Sequence, residues 1–211
     1  MRVGIFGGTF NPIHIAHLIV ASEVRWKARL DKVIFIPCSL PPHKEAVDLA
    51  GGEERMEMIR LAISGNPYFE LSPIEVMRGG KSYTIDTLRE IRSKMKPDDE
   101  LFFLLGYDML VELQTWKEVD SILSICRLLA VKRPGYIIDS SYWIPPGKEW
   151  WLERIDFFDI PEIGISSSEI RRRVRMGMPI SYMVPKAVED YIMEKGLYRA
   201  AEAEMSATER A

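Results

Sequence analysis

The chain has 211 residues and a mass of 24.3 kDa, which is enough for one large α/β domain with its own core. Its net charge of −3 and pI near 5.8 carry no electrostatic footprint for binding a nucleic acid polymer. Two distant cysteines, no signal-peptide pattern and no apolar run of about 18 residues predict a cytoplasmic protein without disulfides or membrane spans. The oligomeric state stays open.

Apolar runs of strand length alternate with segments of helical period. Strands are predicted at Val3–Phe6, Lys32–Pro37, Phe69–Val76, Glu100–Leu105, Arg127–Lys132 and Ile155–Ile160. Helices are predicted at Ile15–Ala28, Glu53–Ser64, Thr84–Met95, Tyr107–Leu113, Lys117–Ser124, Ser167–Met176 and Pro185–Lys195. This alternation indicates right-handed βαβ units, and therefore an α/β fold with a doubly wound parallel sheet. Such sheets bind ligands beyond the carboxyl ends of their strands, at the topological switch point.

No repeat or linker divides the chain, so we predict a single domain over residues 1–199 and a flexible polar tail over residues 200–211. Two irregular stretches, Leu40–Gly52 and Gly135–Gly147, contain proline and glycine and are expected to be loops. Whether either loop closes over a site stays open.

The first seventeen residues, MRVGIFGGTFNPIHIAH, combine a predicted strand, a glycine turn and a helix start. Gly7 and Gly8 carry no Cβ, so the backbone is expected to turn tightly and to approach a ligand closely. Free N–H groups and the helix dipole favour an anion at such a helix start. His14 and His17 are three residues apart on the first turn and would point toward the same ligand. The segment therefore predicts a phosphate site with two imidazoles beside it.

Zinc binding by these two histidines is an alternative interpretation. A zinc site needs further ligands, yet His43 is the one remaining histidine, and Cys38 and Cys126 stand alone in the sequence. We therefore predict no metal site built from the protein's own side chains.

A second segment, ISSSEIR, begins at Ile165. Ser166 and Glu169 have the spacing of a capping box, which explains the serines as helix-start residues. The alternative is a second anion site, in which serine hydroxyls and Arg171 donate to phosphates. The two arginines that follow Arg171 are expected on a solvated face.

Between these two segments lie four shorter elements with polar or aromatic groups suited to a nucleotide. They are the loop PPHK with Lys44, the helix start SYTIDTL with Thr84, the turn GYD with Gly106 and Asp108, and the pair Trp116–Lys117. A lone tryptophan is most often part of a core, but one beside a site can stack on a flat ring.

The motif GGTFNP followed by HIAH resembles the opening motif of the nucleotidylyltransferase superfamily, and ISSSEIR resembles its second signature. Asn11 and Ala16 stand where the opening motif often has Asp and Gly. The PPHK, SYTIDTL, GYD and WK elements further resemble the bacterial nicotinate mononucleotide adenylyltransferases. The resemblance covers roughly residues 2–198 and implies a Rossmann-like nucleotidylyltransferase fold.

That family transfers the adenylyl group of ATP to nicotinate mononucleotide, giving nicotinate adenine dinucleotide and pyrophosphate in NAD biosynthesis. The resemblance therefore implies ATP and the mononucleotide as partners, with Mg²⁺ delivered by ATP. The attacking phosphate is already ionised, so the implied catalysis is positioning and charge stabilisation without a general base.

The resemblance also implies a role for individual residues. The catalytic group is His17, His14, Lys44 and Arg171. The ATP group is Gly7, Gly8, Thr9, Phe10, His14, His17, Arg133, Ile165, Ser167, Ser168 and Arg171. The mononucleotide group is Lys44, Thr84, Gly106, Asp108, Trp116 and Lys117. Trp116 would stack on the pyridine ring, and backbone amides near Thr84 and Lys117 would receive the nicotinate carboxylate.

Two other classes of function stay open. Another adenylyltransferase of the superfamily, with nicotinamide mononucleotide or phosphopantetheine as acceptor, would share both end motifs. A non-catalytic nucleotide sensor would share the fold, although both histidines, Lys44 and Arg171 are present. A Rossmann dehydrogenase and a P-loop NTPase are disfavoured, because the sequence lacks GxGxxG in its first turn and GxxxxGK[ST] anywhere.

Overall fold

The structure, a computed structural model, describes residues 1–40, 49–132, 143–161 and 163–199. Its strands are β1 (Arg2–Gly8), β2 (Lys32–Pro37), β3 (Phe69–Leu71), β4 (Glu100–Gly106), β5 (Arg127–Lys132) and β6 (Ile155–Asp159). Its α-helices are α1 (Ile15–Lys27), α2 (Gly52–Ile63), α3 (Ile74–Arg78), α4 (Thr84–Lys94), α5 (Tyr107–Val111), α6 (Val119–Ile125), α7 (Ser167–Arg175) and α8 (Lys186–Lys195). Short 3₁₀ helices lie at Leu113–Thr115 and Glu149–Arg154.

All six strands form one parallel sheet in the order β3-β2-β1-β4-β5-β6. From β1 the chain builds outward through β2 and β3, and then crosses back to place β4 on the other side of β1. The direction of winding therefore reverses between β1 and β4, where Phe6 pairs with Leu104. The predicted doubly wound parallel sheet is confirmed, and its switch point lies at the start of the GGTFNP motif, where β1 ends.

The side chains of the sheet alternate between two apolar clusters, one on each face. In β4, for example, Phe102 and Leu104 face the cluster covered by α1, α2, α7 and α8. Phe103 and Leu105 face the cluster covered by α4, α5 and α6. Because helices cover both faces, the strand is apolar along its whole length, as the run ELFFLL indicated.

The strand predicted over Phe69–Val76 is wrong in its second half. The ladder of β3 with β2 ends at Leu71, and α3 begins at Ile74. Pro73 stands immediately before this helix, a place where its missing N–H costs nothing. The sequence analysis therefore missed this short α-helix, and it also missed the 3₁₀ helix at Glu149–Arg154, whereas the boundaries of the other predicted elements agree with the structure to within two residues.

Parts of three predicted segments lie outside the described residues. They are residues 41–48 of the first irregular stretch, residues 135–142 of the second, and the tail at 200–211.

Candidate active site

A cleft of about 680 Å³ opens at the carboxyl ends of the central strands. Seven residues predicted for the site line it: Gly7, Gly8, Thr9, Thr84, Gly106, Trp116 and Lys117. They come from the end of β1, the start of α4, the end of β4 and the segment after the 3₁₀ helix at Leu113–Thr115. The cleft thus occupies the switch point, where open α/β sheets bind ligands.

The two glycines of the first motif lie inside β1, not in a turn after it as expected. A Cβ on Gly8 would come within 2.9 Å of the Phe10 ring, and one on Gly7 within 3.3 Å of the Phe103 ring. The left-handed backbone falls instead on Phe10, with φ of 48°, an uncommon conformation for a residue with a side chain. Phe10 is 2% exposed, so its ring belongs to the core and only its backbone remains for a ligand.

The two histidines of the first motif lie against each other at the start of α1. His14 is the residue before the first helical turn, and His17 is the third residue of the helix. Their ring centroids are 3.7 Å apart with the planes 27° from parallel. The spacing therefore brings both imidazoles to one place, as predicted.

One hydrogen bond fixes the tautomer of His17. The backbone N–H of His14 donates to Nδ1 of His17 over 3.2 Å, so Nδ1 carries a lone pair and not a proton. Burial lowers the pKa of His14 to about 4, and burial together with the neighbouring His14 holds the pKa of His17 well below its usual range. Both rings are therefore neutral at pH 7, and the proton of His17 lies on Nε2, where it is available as a donor.

The asparagine of the first motif makes long-range contacts. Oδ1 of Asn11 accepts hydrogen bonds from the Tyr198 hydroxyl at 2.7 Å and from the Ala50 N–H at 3.1 Å. Asn11 is 5% exposed. It therefore ties the loop after β1 to the start of α2 and to the segment after α8.

The start of α7 docks on the same loop. The Ser167 hydroxyl donates to the Pro12 carbonyl at 2.9 Å, and Nη1 of Arg171 donates to the Asn11 carbonyl at 2.9 Å. Nε of Arg171 is buried and has no acceptor among the described residues. The two predicted motifs are therefore in direct contact, and Nε of Arg171 is left without an acceptor among the described residues.

The capping prediction for α7 holds for the serine. Ser166 accepts the Glu169 N–H at 3.2 Å, but the Glu169 carboxylate binds Arg172 and Arg173. These side-chain hydrogen bonds lower the pKa of Glu169 to about 2. Because the Ser167 hydroxyl donates its proton to the Pro12 carbonyl, that proton is not available to a ligand. Ser168 is exposed, and Ile165 packs against the core.

An aromatic wall forms the other side of the cleft. The half-buried Trp116 meets the Phe103 ring edge to face, with 5.9 Å between the centroids. The Lys117 ammonium lies 3.3 Å from both carboxylate oxygens of Asp86 and 4.9 Å from the centre of the Tyr83 ring. This wall therefore offers a flat ring and the N-terminus of α4, whereas the lysine charge is already partnered.

Eight predicted site residues that the structure describes do not line the cleft: Phe10, His14, His17, Asp108, Ile165, Ser167, Ser168 and Arg171. Asp108 is exposed on α5 and does not line the cleft; its carboxylate lies so close to Gly106 that a Cβ there would meet it at 2.4 Å. Lys44 and Arg133 lie outside the described residues.

The sequence analysis missed a buried arginine beneath the cleft. Arg55 of α2 is 2% exposed. Its guanidinium donates to the carbonyls of Thr9 (3.1 Å), Cys38 (2.7 Å), Ser39 (3.3 Å) and Ala50 (3.0 Å). It thus ties together the chain after β1, the chain after β2 and the start of α2. A second missed residue, Glu75 of α3, is buried in the wall of the cleft.

Among the described residues, no group of three or more His, Cys, Asp or Glu side chains could hold a metal ion. Within the same ranges, no helix has the length and apolarity needed to cross a membrane.

Comparisons with known proteins agree on one family. A cytidylyltransferase-like family model matches residues 5–173. A protein of Moorella thermoacetica named "Probable nicotinate-nucleotide adenylyltransferase" is 44% identical over 203 residues, covering 94% of this chain and 92% of the relative. A protein of the same name from Thermus thermophilus is 46% identical over 199 residues, covering 94% and 100%.

A solved structure with the same fold is the Plasmodium falciparum nicotinic acid mononucleotide adenylyltransferase complexed with NaAD. It is 22% identical, with a TM-score of 0.75, and the match covers 93% of this chain and 97% of that chain.

Proposed function

The chain belongs to the cytidylyltransferase-like family, and we propose that it joins ATP and nicotinate mononucleotide in the cleft, forming nicotinate adenine dinucleotide and pyrophosphate for NAD biosynthesis. It is a nucleotidyltransferase enzyme. The observation that carries the proposal is the docking of Ser167 and Arg171 on the carbonyls of Pro12 and Asn11, which brings the phosphate-type starts of α1 and α7 together beside the loop after β1.

The proposed chemistry is an in-line attack by the mononucleotide phosphate on the α-phosphorus of ATP. The nucleophile is already ionised, so the protein supplies position and donors and not a base. Nε2 of His17 donates to the α-phosphate, where negative charge grows in the transition state. Arg171 and the start of α7 hold the departing pyrophosphate. Lys44 and Arg133 keep the roles that the sequence resemblance implies, toward the phosphates and the adenine.

Mg²⁺ is proposed to arrive with ATP. The carboxylates that line the described part of the cleft are those of Glu75 and Glu112, and Mg²⁺ prefers oxygen ligands. The phosphate oxygens and water would therefore supply its ligands, and the ion would neutralise charge on the triphosphate. We further propose that residues 1–199 form one catalytic domain and that the enzyme works in the cytoplasm, since Cys38 and Cys126 are buried and are not joined in a disulfide.

The aromatic wall is proposed to bind the acceptor. The Trp116 ring stacks on the pyridine ring, and N–H groups at the start of α4 near Thr84 and at Lys117 receive the nicotinate carboxylate. A nicotinamide would bring amide donors to backbone donors. Because unpaired buried polar groups cost about 1–3 kcal/mol each, a preference of about tenfold or more for the nicotinate form is expected.

We expect Trp116→Ala to raise the KM for nicotinate mononucleotide by about tenfold and to leave the KM for ATP nearly unchanged, because only the acceptor loses a stacking partner. Steady-state kinetics with each substrate varied in turn measures this. Phe157→Ala, at a half-exposed aromatic outside the cleft, serves as the control. Equal changes in both KM values would remove Trp116 from the acceptor site.

We expect Arg171→Ala to weaken the use of ATP more than that of the mononucleotide, by about tenfold in the KM for ATP, because a charge-assisted hydrogen bond is lost. Arg172→Ala on the same helix is the matched control, since Arg172 is exposed and pairs with Glu169. Its KM values should stay near the parent's. If both variants lose the same amount, the proposed side of α7 does not face ATP.

Formation of nicotinate adenine dinucleotide and an equal amount of pyrophosphate from the two substrates tests the proposed reaction itself. A folded preparation that binds ATP but releases no pyrophosphate with any acceptor would favour the nucleotide-sensor alternative.

A further inference from the structure

A buried carboxylate in the wall of the cleft has no part in the chemistry proposed above. Glu75 of α3 is 8% exposed and lines the cleft together with Ser82, Tyr83 and Thr84. A buried carboxylate is costly unless donors satisfy it, so its surroundings indicate its role.

The hydrogen bonds around Glu75 all run toward it. The Thr87 hydroxyl donates to Oε1 of Glu75 over 2.6 Å and itself accepts Nη2 of Arg78 over 2.7 Å. On the other side, the Ser82 hydroxyl oxygen accepts the backbone N–H of Ser39 over 2.9 Å. Its own proton is therefore left to donate to the Glu75 carboxylate, with which it is hydrogen-bonded.

An ionised carboxylate suits this arrangement, because it accepts only and does not donate. Burial raises the pKa of Glu75, whereas the hydrogen bonds from Thr87 and Ser82 and the charge of Arg78 act in the opposite direction. The carboxylate is thus the common end of two chains of donors.

These two series of hydrogen bonds, one through Thr87 and one through Ser82, enclose the turn that begins α4. Ser82 and Thr87 lie on either side of Tyr83–Thr84, where the first N–H groups of the helix have no partner within the helix. A second bond, from the Ser82 N–H to the Leu40 carbonyl at 3.2 Å, holds the same segment against the chain after β2. Glu75 therefore fixes the place and direction of those N–H groups.

We propose that Glu75 is a positioning residue that sets the enzyme's selectivity for an anionic acceptor, by holding the α4 N-terminus where it meets the nicotinate carboxylate. The inference rests on the proposed function and deepens it. Glu75 itself does not touch the reacting atoms. Two acceptors that differ only in the pyridine substituent should therefore report its loss.

Glu75→Gln keeps the size of the side chain but places an amide donor against hydroxyl donors. One of the hydrogen bonds from Thr87 and Ser82 is therefore lost. We expect the ratio of kcat/KM for nicotinate mononucleotide to that for nicotinamide mononucleotide to fall by about tenfold, with the KM for ATP within about twofold of the parent's. Glu70→Gln, at an exposed carboxylate of β3 that pairs with Lys32, is the matched control and should leave the ratio unchanged.

A general loss of structure would lower kcat/KM for both acceptors alike, so an unchanged ratio in folded Glu75→Gln overturns the proposal. Should that variant fail to fold, Thr87→Val and Thr87→Ser decide, because only the serine keeps the donor to Glu75. The proposal requires a lower ratio in the valine variant and a near-parental ratio in the serine variant; equal ratios in the two overturn it.

The parent's own preference tests the proposed function separately. A parent that uses both acceptors equally contradicts the nicotinate assignment. In that case the positioning role of Glu75 is tested by the two KM values of the Glu75→Gln variant. The role requires a higher KM for the acceptor and an unchanged KM for ATP.

Discussion

Replacing His17 by alanine is expected to lower kcat by about 10²–10³-fold while the fold survives. Its Nδ1 is occupied by the His14 N–H, so Nε2 holds the proton and donates to charge that develops on the α-phosphate. Loss of one such donor costs about 2.7–4 kcal/mol in comparable sites. Single-turnover kinetics at saturating substrates measures the chemical step directly.

The control is His17→Gln, whose amide can still accept from His14 and donate from about the position of Nε2. It should retain clearly more activity than the alanine variant. His17 packs against the rings of Phe6 and Phe10, so circular dichroism and thermal unfolding must accompany the kinetics. Near-parental turnover in a folded alanine variant would exclude this histidine from the mechanism.

Arg55→Met is expected to lower the free energy of unfolding by about 3 kcal/mol. The guanidinium satisfies four backbone carbonyls in three segments, and a buried group that loses its partner costs about 1–3 kcal/mol. Removing the buried charge itself regains part of this loss, because its desolvation is no longer needed. Urea denaturation of both proteins gives the difference.

Arg60→Met on the same helix is the matched control for Arg55. Arg60 is exposed and pairs with Glu57, and such surface pairs contribute at most about 1 kcal/mol. A change of about 0.5 kcal/mol or less is expected. If the two variants are equally stable, the carbonyls around Arg55 do not depend on its guanidinium.

The doubly wound parallel sheet and the meeting of the two histidines could be predicted because each depends on local pattern. Apolar strands alternating with helices leave few arrangements, and a spacing of three residues on a helical turn places two side chains together. The same patterns predicted that α1 begins at Ile15 and that α8 ends at Lys195, immediately before Gly196, which has a φ of 63°.

What the sequence could not supply are contacts between distant segments. Nothing local indicates that Asn11 binds Tyr198, or that Gly8 must be small because Phe10 folds over it. Arg55 did leave a signal, since it lies on the same helical face as the buried Met58 and Ile59. A charged side chain on the apolar face of a helix indicates that it has a buried hydrogen-bond partner, but the sequence does not identify that partner.

The strand predicted through Val76 failed for a related reason. An apolar run of strand length does not distinguish a strand from a buried helix, and only the short ladder with β2 decided that β3 ends at Leu71. Glu75 lay within that run and was therefore hidden from the sequence analysis.

The most direct test of the central claim is pyrophosphate release from ATP and Mg²⁺ with each of three acceptors: nicotinate mononucleotide, nicotinamide mononucleotide and phosphopantetheine. The account predicts a kcat/KM for nicotinate mononucleotide about tenfold or more above that for nicotinamide mononucleotide, and no turnover with phosphopantetheine. Equal use of the two mononucleotides would contradict the acceptor assignment, and turnover with phosphopantetheine alone would contradict the proposed function.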